Sequence, residues 1–190
     1  MDGTASKPAR YTYVAMAFHW IIAGLVIWNW RIAEAGEHAS SRAEAPAIFA
    51  DHKAIGITIL LLTLGRLAWR LAHPVPPLPT EYAQWERVLA RTTHVIFYVM
   101  LLGLPLAGWL ANSMYGNDID MFGLFTIPAL PVAQNADAAS TVYDIHKTAG
   151  TITIYLVGLH ILGGLKHTIF DRTGGLSRML PFGRTSAPRT

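Results

Sequence analysis

The residues best able to do chemistry in this chain are its histidines. Eight stand in 190 residues, of which 52% are apolar, 14% are charged and none is Cys. His19, His52, His94, His146, His160 and His167 lie within or at the edges of long apolar stretches. Ionisable side chains there are costly and mark function. His38 and His73 fall at loop or boundary positions and read as bystanders. Without Cys there is no disulfide framework, iron–sulfur cluster, thiolate zinc site or covalent C-x-x-C-H haem. The charged share is well below the roughly 25% of soluble domains. It leaves no concentrated basic face, so no nucleic-acid partner is expected.

Spacing narrows the chemistry. His146 and His160 are 14 residues apart. On a helix that is a rise of about 21 Å and a return to within about 40° of the same face. Each can meet a second histidine at its own depth: His52 at the outer level, His19 at the inner. Imidazole suits Zn, Cu, Fe and Ni alike. A zinc site usually wants four ligands, often with a carboxylate or Cys. Two imidazoles at each of two levels suit a planar macrocycle instead, giving two b-type haems held without covalent links. His94, at the start of the third apolar stretch, rivals His19 for the inner iron.

A repeated pattern supports this reading. His52-Lys53-Ala54-Ile55-Gly56 and His146-Lys147-Thr148-Ala149-Gly150 share the form His-Lys-x-x-Gly. The glycine falls one turn beyond the histidine, on the same face, where a missing side chain lets a flat ring lie against the helix. Gly24, Gly158, Gly163 and Gly164 could act likewise at the inner level. The plain alternative is that these glycines serve helix packing. Lys53 and Lys147 have three open readings: interfacial snorkelling, pairing with haem propionates, and attraction of a small anion to the outer haem.

The elements that must position these residues are four membrane spans, at about 14–32, 48–71, 92–114 and 140–170. Each is near the 20 apolar residues that a crossing needs. A soluble bundle would show polar helix faces, and Ile57–Leu64 and Leu101–Leu110 have almost none. The first span has some signal-peptide character, with Lys7, Arg10 and an Ala33-Glu34-Ala35 sequence. Its length and His19 argue for a retained helix. Eleven Lys and Arg fall on the side of the two termini and four on the other. The positive-inside rule then makes both termini cytoplasmic. The expected fold is an all-α membrane protein, a four-transmembrane-helix bundle enclosing two b-type haems. It forms one domain, 1–181, followed by a basic tail, 182–190. Met121 to Pro131 reads as an apolar interfacial segment over the outer face, and the chain from Gly174 as loosely ordered.

The set resembles the bacterial di-haem cytochrome b561 family, most closely its superoxide oxidase branch. The resemblance runs from Tyr11 to Pro181. It rests on Phe18-His19-Trp20, on His52-x-x-x-Gly56 followed by Arg66-x-x-x-Arg70 and a Pro-rich connection, and on His94 with Leu104-Pro105. It also includes Ile145-His146, Gly158-Leu159-His160 and His167. Residues 117–139 and the tail beyond Pro181 do not match. The resemblance implies a bacterial inner-membrane oxidoreductase in which His52 and His146 ligate the outer haem and His19 and His160 the inner. It implies superoxide as donor and ubiquinone as acceptor near the inner haem, with Arg70, His94 and His167 as its neighbours. Lys53 and Lys147 are a local feature of this chain and candidates for drawing superoxide in. The rival within the same fold is a haem b membrane-anchor subunit fed by a partner dehydrogenase or hydrogenase. A non-redox ion carrier would want an intramembrane carboxylate relay, and none is visible.

Overall fold

The computed structural model describes residues 10–41, 43–78, 82–171 and 175–182. The chain forms four long helices, α1 (Tyr13–Glu37), α2 (Ala45–Ala72), α3 (Gln84–Met114) and α4 (Ala136–Ile169). A small hairpin of β1 (Ile119–Asp120) and β2 (Thr126–Ile127) lies between α3 and α4. A 3-10 turn, Leu176–Arg178, follows α4. All four helices are long and apolar enough to cross a membrane. Lys7, Arg42, Arg172 and residues 183–190, which the sequence reading also uses, lie outside the described residues.

Local signals set the helix starts. Thr12 caps α1, its Oγ1 accepting from Ala15 N–H at 3.2 Å. Pro46 sits in the first turn of α2, where its missing N–H costs nothing. Glu86 accepts from Ala83 N–H at 3.0 Å, and Asn135 from Ala138 N–H at 3.0 Å. These caps lie in polar sequence outside the apolar runs. That is why α3 starts at Gln84 rather than near 92, and α4 at Ala136 rather than near 140. α1 likewise runs on to Glu37 instead of stopping near 32. One consequence corrects the sequence reading: His94 is not at the edge of its helix but well inside it.

α1 packs mainly on α2, and α3 mainly on α4. Ile22, Ile55 and Ile59 form one buried cluster, against which Phe18 and Leu101 pack. Leu61, Val99, Tyr155 and Leu159 are largely exposed, as lipid-facing side chains should be. The segment read as interfacial is a hairpin, with Ile119 paired to Ile127 and Asp120 to Thr126. Phe122 and Gly123 both take positive φ at its tip, and Asp120 Oδ2 accepts from Gly123 N–H at 2.8 Å. Ile119 and Met121 are buried against Ala54 and Ile57 of α2, so the hairpin closes one end of the bundle.

The two chain ends meet at the opposite end. The Arg10 guanidinium donates to the carbonyls of Ser177, Leu180 and Phe182. Trp20 Nε1 donates to Met179 O at 2.7 Å. The segment 175–182 is therefore tied down, contrary to the loose order expected after Gly174.

Candidate functional site

α2 and α4 present His52 and His146 to each other near the hairpin end. Their ring centroids are 6.0 Å apart, with an interplanar angle of 83°. A metal held between two imidazoles at roughly 2 Å per nitrogen sets ring centres about 6 to 6.5 Å apart. Each ring is oriented through Nδ1. His52 pairs with the Asn29 carbonyl at 3.1 Å, and His146 with the Leu104 carbonyl at 2.9 Å. A carbonyl accepts only, so Nδ1 carries the proton in both rings and Nε2 keeps its lone pair for a metal.

A cavity of about 350 Å³ adjoins this pair, and Asn29, Lys53, Gly56, Gly108 and Gly150 are among its lining residues. That volume falls within the range of cofactor pockets. The glycines shape it. A Cβ at Gly150 would meet nothing within 4 Å, and one at Gly56 would approach only Asn29, at 3.8 Å. A Cβ at Gly108 would lie 3.2 Å from His146 Cε1. The donor set, the ring spacing and the glycine-lined wall fit a flat macrocycle carrying iron. Gly56 and Gly150 were legible from their spacing to histidine. Gly108 and Asn29 were not singled out.

The second level is a three-histidine cluster. His160 lies 6.3 Å from His19 and 6.0 Å from His94, centroid to centroid, so both have the spacing of an axial partner. Phe97 packs edge-on against His160 at 5.3 Å. Arg66 places a guanidinium nitrogen 3.1 Å from His19 Nδ1. Guanidinium only donates, so His19 Nδ1 accepts and its proton sits on Nε2. Holding a metal through Nε2 would therefore require Arg66 to move off His19 Nδ1.

The three residues read as quinone neighbours separate. Arg70 lines a small cavity of about 20 Å³ with Arg66, Trp69, Tyr98 and Met179. His94 faces His160. His167 stacks on Tyr82 at 4.1 Å and 17° and pairs with Asp171 at 2.6 Å. Lys166 bridges Glu86 at 2.7 Å and Asp171 at 2.8 Å. Its ammonium holds the Asp171 carboxyl below the ordinary aspartate value. The two outer lysines also differ. Lys147 is in an ion pair with Glu37 at 2.7 Å, whereas half-buried Lys53 donates to Asn112 Oδ1 at 3.2 Å.

Comparison with known proteins agrees with the fold. The family described as prokaryotic cytochrome b561 matches residues 10–182. The chain is 30% identical over 180 residues to cytochrome b561 homolog 2 of Escherichia coli (strain K12), covering 92% of this chain and 93% of that protein. It is 29% identical over 174 residues to the probable superoxide oxidase CybB of Yersinia pestis, covering 90% and 96%. Four apolar helices, a match along nearly their whole length and the family's haem b chemistry agree. The chain belongs to the prokaryotic cytochrome b561 family, as a multi-pass electron-transfer protein of the bacterial inner membrane.

Proposed function

We propose that this protein is a superoxide:quinone oxidoreductase with two haem b groups. His52 and His146 hold the outer haem, and His19 and His160 the inner. The observation that carries the reading is the pair of histidine contacts at two levels, 6.0 Å and 6.3 Å between ring centres. Bound haem supplies reversible one-electron chemistry between ferric and ferrous iron. His52 with His146, and His19 with His160, would hold the two groups through imidazole nitrogen alone.

The chain's own residues do the rest. The Asn29 and Leu104 carbonyls fix the outer imidazoles with Nε2 inward. Two superoxide ions each give up one electron and leave as dioxygen. Ubiquinone takes both electrons and two protons to become quinol near the cytoplasmic face. His167, paired with Asp171 at the helix end, is placed to pass a proton in from water. Lys53 and Lys147 flank the outer site, and their positive charge would favour the approach of an anionic donor, with Glu37 offsetting part of the charge of Lys147.

A second reading, a haem b subunit that takes electrons from a partner protein, is favoured by one observation. The hairpin tip carries Phe122, Leu124 and Phe125, all more than half exposed at the outer end. Such an apolar patch suits docking. A superoxide pulse in stopped flow, with quinone in proteoliposomes, tests the main reading. Haem reduction followed by quinol formation, slowed by added salt, is the expected result. Haems that stay oxidised through the pulse overturn it in favour of the partner-fed reading.

A further inference from the structure

The outer cavity has a polar corner that the paired histidines do not use. Asn29 is 8% exposed in an otherwise apolar stretch of α1, and its carboxamide makes no hydrogen bond among the described residues. Its backbone carbonyl serves His52, but its carboxamide lines the cavity. Lys53 lines the same cavity and is held only by the neutral Asn112 amide, at 3.2 Å. Among the described residues no carboxylate pairs with it. The other charged groups around the cavity are Glu34, Glu37 and Lys147. Glu37 is bonded to Lys147, and Glu34 acts on the same ammonium. The acids are thus gathered at Lys147, which leaves Lys53 as the cation facing inward. An unmatched buried amide and a half-desolvated ammonium are each costly. An anionic acceptor on the cavity's occupant would take a hydrogen from the Lys53 ammonium and one from Asn29 Nδ2, which lies 3.8 Å from the Cβ direction of Gly56 on the same wall.

We propose that Asn29 and Lys53 form a carboxylate-binding subsite within the outer cavity, which takes a propionate of the haem and raises that haem's potential. The inference rests on the haem reading above. Lys53 donates an ammonium hydrogen, and Asn29 donates from Nδ2. Both donate to the same class of acceptor, which neither finds among the described side chains. The effect on potential follows from charge. Reducing the iron adds one negative charge to the site, and a nearby ammonium favours that state. A unit charge across roughly 10 Å, at an effective dielectric near 20, changes such an equilibrium by roughly tenfold or somewhat more.

Optical redox titration of the purified holoprotein reads this directly. Lys53→Met should lower the outer-haem potential by about 59 mV, the one-electron equivalent of tenfold. The inner haem should not move. Lys53→Arg should restore the value, and Asn29→Leu should shift it less, in the same direction. A second measurement is independent of potential. Haem-depleted protein is reconstituted with haem or with its dimethyl ester, which lacks ionised propionates. The native protein should prefer the acid form by about tenfold, and the Asn29→Leu, Lys53→Met double variant should bind both alike. An unshifted potential in Lys53→Met, with the preference for the acid form intact in the double variant, overturns the subsite. A native protein whose spectrum does not change in His52→Ala overturns the haem reading itself, which is a different outcome.

Discussion

Gly150 offers the sharpest test of whether the outer cavity is a cofactor cradle or a packing defect. Its Cβ direction is open, with no atom within 4 Å, and it lines the 350 Å³ cavity. Gly150→Leu would place a branched side chain in that space and occupy on the order of 100 Å³ of it. The backbone should welcome the change, since leucine is favoured over glycine in a helix interior by roughly 0.5 to 1 kcal/mol. The two effects therefore have opposite signs. A packing defect would be relieved, with stability raised and pigment unchanged. A cradle would be blocked, so the haem-to-protein ratio should fall from two to one while the apoprotein gains about 1 kcal/mol or less. Gly150→Ala, which adds one methyl group, should keep both haems. The assay is haem content per protein by pyridine haemochrome, with thermal unfolding of the haem-depleted bundle alongside. Two full haems in Gly150→Leu would falsify the cradle.

Much of this site was legible in the sequence because helical geometry is regular. The 14-residue step from His146 to His160 and the repeated His-Lys-x-x-Gly pattern depend only on pitch, and the folded helices set His146 beside His52 and His160 beside His19. What escaped was set by caps and by neighbouring helices. His94 read as a helix edge because the apolar run begins near Val95, but Glu86 caps α3 further back in polar sequence. Asn29 read as part of an aromatic belt between Trp28 and Trp30. Its role depends on α2 bringing His52 to its carbonyl, which no local pattern reveals. Gly108 matters because α4 brings His146 against it. Lys53 and Lys147 look identical in sequence, yet among the described residues only Lys147 meets an acid, Glu37 on α1. The hairpin hid as an apolar stretch because its buried residues, Ile119 and Met121, alternate over a run too short to read as a strand.

Three further outcomes follow from the geometry. His19→Ala should lose the inner haem, whereas His94→Ala should retain it with an altered quinone response; loss of haem from His94→Ala alone, read by absorption spectroscopy, would reassign the ligand. Asp171 has a carboxyl pKa lowered first by Lys166, so its contribution to stability is complete above the ordinary aspartate value of 3.8 and is lost as pH falls through the lower folded value. Thermal unfolding of the native protein should therefore weaken at pH below about 3.8 more steeply than that of Asp171→Asn. Arg10→Gln removes a charged donor to three carbonyls near the C-terminal end, so amides in 175–182 should exchange faster by hydrogen–deuterium mass spectrometry. At about 1.5 to 3 kcal/mol for a bond to a charged group, that is tenfold or more, and unchanged exchange would refute the strap.

The central claim is that two haems sit at two levels, each between a pair of imidazoles. Haem stoichiometry with the reduced-minus-oxidised spectrum, measured on the native protein, His52→Ala and His160→Ala, tests it most directly. The account predicts two low-spin b-type haems in the native protein and one in each variant, with the surviving haem different in the two. A native protein with a single haem, or variants that both lose the same haem, would contradict it.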